Sequence, residues 1–155
     1  IEAEERGQGP AIAEAITVMG ALRVPTIAVI TGEGGSGGAL ALAMGNRVLM
    51  LENAYYSVIS PESASIILYK NDDFAKEAAE KLKIGSQDLL EMKIIDEIIP
   101  EPLGGAHKDR VSMGRFIKEA LERNMNILKG LPQEKLVSAR YERFRAFGKV
   151  KEDKL

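Results

Sequence analysis

Between an apolar run that reads as a buried strand and another that reads as a buried helix lies Gly32-Glu33-Gly34-Gly35-Ser36-Gly37-Gly38-Ala39, a stretch almost without side chains. The run before it, Thr26-Ile27-Ala28-Val29-Ile30-Thr31, is short and rich in β-branched residues, and the run after it, Leu40-Ala41-Leu42-Ala43-Met44, is helix-forming. A strand that turns at once into a helix is the first half of a strand-helix-strand unit with parallel strands, so an α/β domain is expected. Glycines in such a turn permit positive φ and close approach of a ligand. The first amides of the helix have no intrahelical partner and lie at the positive end of its dipole. The turn is suited to hold negative charge.

Which negative charge is a separate question. A phosphate cradle of the Gly-x-x-x-x-Gly-Lys-[Ser/Thr] type needs a lysine where Ala39 stands. A dinucleotide fingerprint laid on Gly32, Gly34 and Gly37 puts its acidic residue near Glu52, at the end of an ordinary strand. Gly34-Gly35-Ser36-Gly37-Gly38 also fits Gly-x-Ser-x-Gly, the nucleophile elbow of serine hydrolases. In that reading His107 is the base, and the acid between them comes from Glu52, Glu62, Asp72, Asp73, Asp88 or Asp96. The remaining chemical option is an oxyanion hole without a nucleophile, made by the amides of Gly37, Gly38 and Ala39. A purely structural turn, with glycines serving close helix-strand packing, stays open beside these.

Along the rest of the chain, Ile12, Ala15, Ile16, Met19 and Leu22 recur at helical spacing from Pro10 onward, with Gly9-Pro10 as the expected N-cap and first residue. Gly45-Asn46 stops the helix after the glycine turn, and Arg47 to Leu51 reads as the next strand. A short strand over Tyr55 to Ile59 and a helix from Pro61 through Tyr69 follow. Asp72-Asp73 lead into a charged helix to Lys83, Ser86 is the expected cap of a helix carrying Leu89, Leu90 and Met92, and Ile94 to Ile99 is a strand. Asp109 is the expected cap of a long helix with Met113, Phe116, Ile117, Ala120, Leu121, Ile127 and Leu128 as its apolar stripe. Gly130-Leu131-Pro132 separates it from a last helix to about Phe147, with Leu136, Tyr141, Phe144 and Phe147 available for burial. Arg140, Arg143, Arg145, Lys149, Lys151 and Lys154 read as a solvated basic face, or as a contact for an acidic protein surface or for the phosphates of a ligand. Arg6, beside Glu4 and Glu5, reads as an anion-binding residue or a solvated helix-start charge.

Four blocks, Glu4-Glu5-Arg6-Gly7-Gln8, Gly32 to Ala41, Tyr56-Ser57-Val58-Ile59-Ser60-Pro61-Glu62, and Ile98-Ile99-Pro100-Glu101-Pro102-Leu103-Gly104-Gly105-Ala106-His107, stand in an order and spacing that resembles the α subunits of bacterial acetyl-CoA carboxylase carboxyltransferase. The likeness reaches Arg140-Tyr141-Glu142-Arg143-Phe144, and departs from the family pattern at Ser63, where glycine is usual, and at Tyr69, where tryptophan is common. It implies a crotonase-like (ClpP/crotonase) α/β fold of repeated strand-helix units with a C-terminal helical tail. Residues 1–102 would be the C-terminal part of the core, and 103–155 a loop and helices of the same domain. It implies carboxyl transfer from carboxybiotin on the biotin carboxyl carrier protein to acetyl-CoA, giving malonyl-CoA for fatty-acid biosynthesis. Gly37 and Gly38 would be the oxyanion-hole amides, and Gly34, Gly35, Gly37, Gly38 and Ala39 the carboxybiotin contacts, with no metal on this chain. Implied partners are a zinc-bearing β subunit in an α2β2 heterotetramer and the ATP-dependent biotin carboxylase.

The resemblance also makes the chain a fragment, since it opens at Ile1 and a full α subunit would carry further strand-helix units and a second glycine turn before Glu4. The isolated piece is then expected to be inactive, and an assembly module without catalysis is the non-enzymatic alternative. Composition sets limits of its own: 155 residues with 45% hydrophobic content suffice for a core, and the absence of cysteine excludes disulfides, zinc-thiolate sites and a cysteine nucleophile. A single histidine excludes a multi-histidine metal centre, and a formal net charge of −2 gives no reason to expect nucleic-acid binding. No apolar run approaches the ~18 residues that cross a bilayer, and a cytoplasmic location is expected.

Overall fold

The computed structural model describes residues 2–148. Lys149, Lys151 and Lys154 of the expected basic face lie outside them. The chain opens with α1 (Glu2–Glu5) and α2 (Gln8–Ala21), then β1 (Ile27–Ile30), β2 (Glu33–Gly35), α3 (Ser36–Leu42), β3 (Arg47–Leu51) and β4 (Tyr55–Ser57). After these come α4 (Pro61–Tyr69), α5 (Ala75–Leu82), α6 (Ser86–Glu91), β5 (Glu97–Ile99), α7 (Arg110–Lys129) and α8 (Gln133–Arg145).

Three strands form a parallel sheet in the order β1-β3-β5. Ala28 pairs with Val48 and Ile30 with Met50, while Leu49, Met50 and Leu51 pair with Glu97, Ile98 and Ile99. The central strand is the most deeply covered: Val48, Leu49, Met50 and Leu51 are at most 2% exposed, whereas every residue of β1 is only half-buried. A continuous apolar run belongs in a strand covered on both faces, which is what Val48-Leu49-Met50-Leu51 becomes. Helix α7 closes one side through Met113, Ala120 and Leu128, and Tyr56, Leu89 and Ile95 complete the core.

Several local expectations are corrected. The cap of α2 is Gly7 (φ 80°), whose carbonyl accepts from Ala11 N, so Pro10 sits inside the first turn. Ser86 does not cap α6. Gly85 holds the cap position, and the Ser86 hydroxyl donates 2.7 Å to the carbonyl of Glu52, tying α6 to the end of β3. The basic face of the last helix is not solvated where it was expected to be. Arg140 is 1% exposed, and the side chain of Arg143 is 12% exposed and paired with Asp96 at 2.5 Å. Of the residues expected to be buried there, Tyr141 is displaced outward at 69% exposed, while Phe144 and Phe147 are half-buried. Ser60 and Asp109 accept hydrogen bonds from Ser63 N and Ser112 N and so cap α4 and α7.

Candidate active site

A parallel sheet presents its loops and ligand sites at the carboxyl ends of its strands, and here those ends are Thr31-Gly32 after β1, Glu52 after β3 and Pro100-Glu101 after β5. The glycine segment is more ordered than a loop. Glu33, Gly34 and Gly35 form β2, which pairs in parallel with Tyr55, Tyr56 and Ser57 of β4. The carbonyl of Gly32 accepts from Tyr55 N at 3.0 Å. Space at position 34 is tight: a Cβ there would sit 3.1 Å from Ile30 Cγ2, 3.2 Å from Tyr56 Cδ2 and 3.3 Å from the Tyr55 carbonyl, so these neighbours would have to give way. Glu33 flanks Tyr55, and burial, followed by the effect of Glu33, raises the pKa of the Tyr55 hydroxyl.

The residue that takes the left-handed backbone in this turn is Ser36, at φ 59°; none of Gly32, Gly34, Gly35, Gly37 and Gly38 does. That corrects the expectation that the glycines serve to supply positive φ. A non-glycine residue in this region is strained by about 1 kcal/mol, and it re-aims the chain as β2 becomes α3. No side chain caps α3 at Gly35, so its first amides are left without a side-chain acceptor. A Cβ on Gly37 would lie 3.3 Å from Ile12 of α2, while Gly38 and Gly35 face open space within 4 Å. The helix and the neighbouring strands thus crowd positions 34 and 37, but nothing in the described protein crowds position 38. Ala39 lines a cavity of about 580 Å³ together with Met19, Thr31, Gly32, Gly34 and Leu42.

His107 lies elsewhere, in a cavity with Glu52, Asn53 and Glu101, and no hydrogen bond joins it to Ser36 among the described residues. The carboxylate of Glu101 fastens this loop. Its Oε1 accepts from Asn53 N at 2.9 Å and its Oε2 from Ala106 N at 2.8 Å, while Glu52 Oε2 accepts from Glu101 N at 3.2 Å. Burial alone raises the Glu101 pKa, but the Asn53 and Ala106 amides, with His107 nearby, outweigh it and hold the carboxyl below its ordinary value. Asp96, Asp88 and Asp73 are engaged with Arg47 and Arg143, with Lys83 and with Asn71 respectively. Arg6 is exposed just after α1. A Ser36-His107-acid triad is therefore not assembled. No group of three or more His, Cys, Asp or Glu residues able to hold a metal ion occurs among the described residues.

Residues 1–148 match the family described as acetyl co-enzyme A carboxylase carboxyltransferase-like. The chain belongs to this family. The acetyl-coenzyme A carboxylase carboxyl transferase subunit alpha of Thermus thermophilus is 57% identical over 148 residues, covering 96% of this chain and 47% of the relative. That of Carboxydothermus hydrogenoformans is 56% identical over 148 residues, covering 96% and 46%. The chain therefore spans about half the length of the curated relatives it matches. Among solved structures, a Pseudomonas malonate decarboxylase hetero-tetramer in complex with coenzyme A superposes with TM-score 0.70 at 18% identity, covering 94% of this chain and 59% of that one. Transcarboxylase 12S with methylmalonyl-coenzyme A and methylmalonic acid bound gives 0.61 at 18% identity, covering 81% and 25%. Carboxyltransferase-like membership and these likenesses agree on a crotonase-like α/β fold with a helical C-terminal part. No helix among the described residues is long and apolar enough to cross a membrane.

Proposed function

We propose that this member of the carboxyltransferase-like family carries the carboxybiotin half of an acetyl-CoA carboxylase carboxyltransferase site. The observation that carries the reading is the uncapped start of α3, where Gly38 faces open space although no neighbouring protein atom demands a glycine. Carboxybiotin, borne on a biotin carboxyl carrier protein, would supply the carboxyl group and a ureido nitrogen able to take a proton from the α-carbon of acetyl-CoA. The chain's own part is electrostatic. The amides of Gly37 and Gly38 donate to the ureido oxygen as it gains negative charge, in a geometry fixed before the reaction begins. Gly34 keeps β2 close to β4, Ser36 turns the chain, and Gly35 and Ala39 border the approach.

Malonyl-CoA for fatty-acid biosynthesis is the product in this reading. The acyl-CoA half of the site, with a matching turn for the thioester oxyanion, lies on a zinc-bearing β subunit in an α2β2 heterotetramer, and an ATP-dependent biotin carboxylase recharges the carrier. The assembly acts in the cytoplasm. A serine hydrolase is favoured by one observation, the left-handed φ of Ser36, which is the strained geometry of a nucleophile elbow. The separate placement of His107 speaks against it.

Reconstitution of the full-length α subunit with a β subunit, biotinylated carrier and acetyl-CoA tests the proposal by malonyl-CoA formation. Gly38→Val should lower turnover about 10²- to 10³-fold, because a β-branched side chain fills the approach to the donors. Ser36→Ala should cost far less, and size-exclusion chromatography should show an intact assembly for both. Near-normal turnover by Gly38→Val in an intact complex would make the turn structural. Labelling of Ser36 by a fluorophosphonate probe, abolished by His107→Ala, would establish the hydrolase instead.

A further inference from the structure

At the amino end of the sheet, remote from the glycine turn, α8 buries a cation that the proposed chemistry does not touch. Arg140 has no carboxylate partner among the described residues. Its guanidinium donates to the carbonyls of Met19 (2.6 Å), Gly20 (2.9 Å), Leu22 (2.8 Å) and Val24 (3.4 Å), and to Asn46 Oδ1 (2.9 Å). Met19 and Gly20 belong to the last turn of α2 and Leu22 is its C-cap, so the acceptors include carbonyls that the helix cannot satisfy itself, at the negative end of its dipole. Burial lowers the Arg140 pKa, and the groups facing the buried cation are these carbonyls and the Asn46 amide oxygen. Asn46 extends the knot: its Oδ1 also accepts from Thr26 N (3.2 Å) and Thr26 Oγ1 (3.1 Å), and its Nδ2 donates to the Leu136 carbonyl (2.7 Å). The end of α2, the start of β1, the turn after α3 and α8 are thereby fixed at one point.

From that point α2 runs back to the site. Ile12, seven residues before Met19 and so about 10 Å along the helix, packs over Gly37, its Cδ1 and Cγ2 lying 3.3 and 3.4 Å from where a Cβ would be. We propose that Arg140 is a positioning residue for the glycine turn: by holding the carboxyl end of α2 it sets how Ile12 bears on Gly37, and through that contact the direction of the Gly37 and Gly38 amides. Its consequence for turnover rests on the carboxyl-transfer reading above. The mechanical link does not.

The test uses the full-length α subunit assembled with its β subunit, comparing wild type with Arg140→Met, Ile12→Ala and the double variant. Amide hydrogen exchange over residues 36–44, where Ala43 N is bonded to the Ala39 carbonyl at 2.9 Å, should speed up in both single variants. The turnover number should fall about tenfold with KM for acetyl-CoA changed less than about twofold, since displaced donors affect the reacting centre rather than substrate capture. The double variant should be no worse than the poorer single one. Where Arg140→Met does not assemble, Arg140→Lys carries the same comparison. Exchange that rises only in α8 and at the end of α2, or losses that multiply in the double variant, would reduce Arg140 to an anchor for α8. If the wild-type complex transfers no carboxyl group, the carboxyltransferase reading fails while the exchange measurement still decides the link.

Discussion

The two ends of the parallel sheet are built on opposite plans. At the amino end, polar side chains are bonded to one another and to backbone: Thr26 with Asn46, Arg47 and Arg143 with Asp96, and Arg47 Nε with Asn124 Oδ1 at 2.9 Å. Two arginines of α8 reach across all three strand starts, and only their Nε atoms are left without partners. At the carboxyl end, α3 begins with no side-chain cap, and a Cβ on Gly38 would meet nothing within 4 Å. Ser60 and Asp109 cap α4 and α7, while α2, α5, α6 and α8 start without a side-chain cap as α3 does. Buried arginines fasten the amino end, whereas the carboxyl end sets the Glu52-Glu101 knot beside a helix start without a side-chain cap.

The contrast breaks most readily at Asp96. Its two oxygens accept from Arg47 (3.1 Å), from Arg143 (2.5 Å) and from Val48 N (2.7 Å), and its side chain is 15% exposed. Asp96→Ala strands two guanidinium groups near the core and should destabilise the chain by about 3 kcal/mol, read from urea midpoints. Lys118→Ala, which removes a pair at 3.8 Å with partners 73% and 62% exposed, should change stability by less than about 0.5 kcal/mol. Equal effects would mean that Asp96 fastens the amino end no more than an exposed surface pair does.

Much of this architecture was legible in the chain. Strand-glycine-helix spacing gave β1 and α3, the run Val48 to Leu51 gave a covered strand, Pro61 and Tyr69 bounded α4, and Asp109 marked the start of α7. What was not legible depends on partners distant in sequence. Glu33-Gly34-Gly35 has no strand propensity and becomes β2 only because β4 pairs with it. The left-handed residue is Ser36 among five glycines, a choice set by how β2 meets α3 and not by residue preference. Charge alone places Arg140 and Arg143 on a solvated face or on a contact for an acidic partner or a phosphate ligand. Yet Leu136, Arg140 and Arg143 stand at i, i+4 and i+7, one stripe of a helix whose buried residues are Leu136 and Arg140, so periodicity carried the signal that charge obscured.

Two glycines of the turn sharpen the comparison at intermediate size. Gly34→Ala places a methyl group 3.1 to 3.3 Å from Ile30, Tyr56 and the Tyr55 carbonyl, and overpacking of this kind should cost about 1 to 3 kcal/mol. Gly38→Ala meets nothing within 4 Å. It should leave the unfolding midpoint nearly unchanged while slowing carboxyl transfer in the reconstituted complex. If Gly38→Ala destabilises as much as Gly34→Ala, the space at 38 is used by the protein itself, and the distinction between a packing glycine and a ligand-facing one disappears.

The smallest effect concerns a well-fastened element at the carboxyl end, the loop held by Glu101. Its carboxyl is held below the ordinary glutamate range because burial, which opposes ionisation, is outweighed by the Asn53 and Ala106 amides and by His107 nearby. A carboxyl depressed in the folded state contributes stability above its unfolded pKa, about 4.3, and loses it as pH falls through the folded value. Wild type should therefore exceed Glu101→Gln in urea midpoint by a constant margin from neutral pH down to about pH 5. The margin should shrink on further acidification. Exchange of the Asn53 and Ala106 amides should accelerate over the same range beyond the intrinsic pH trend, since both donate to this carboxylate. A margin that widens with acid would mean that burial prevails over the two amides, and that the loop carrying His107 is held by its backbone turns alone.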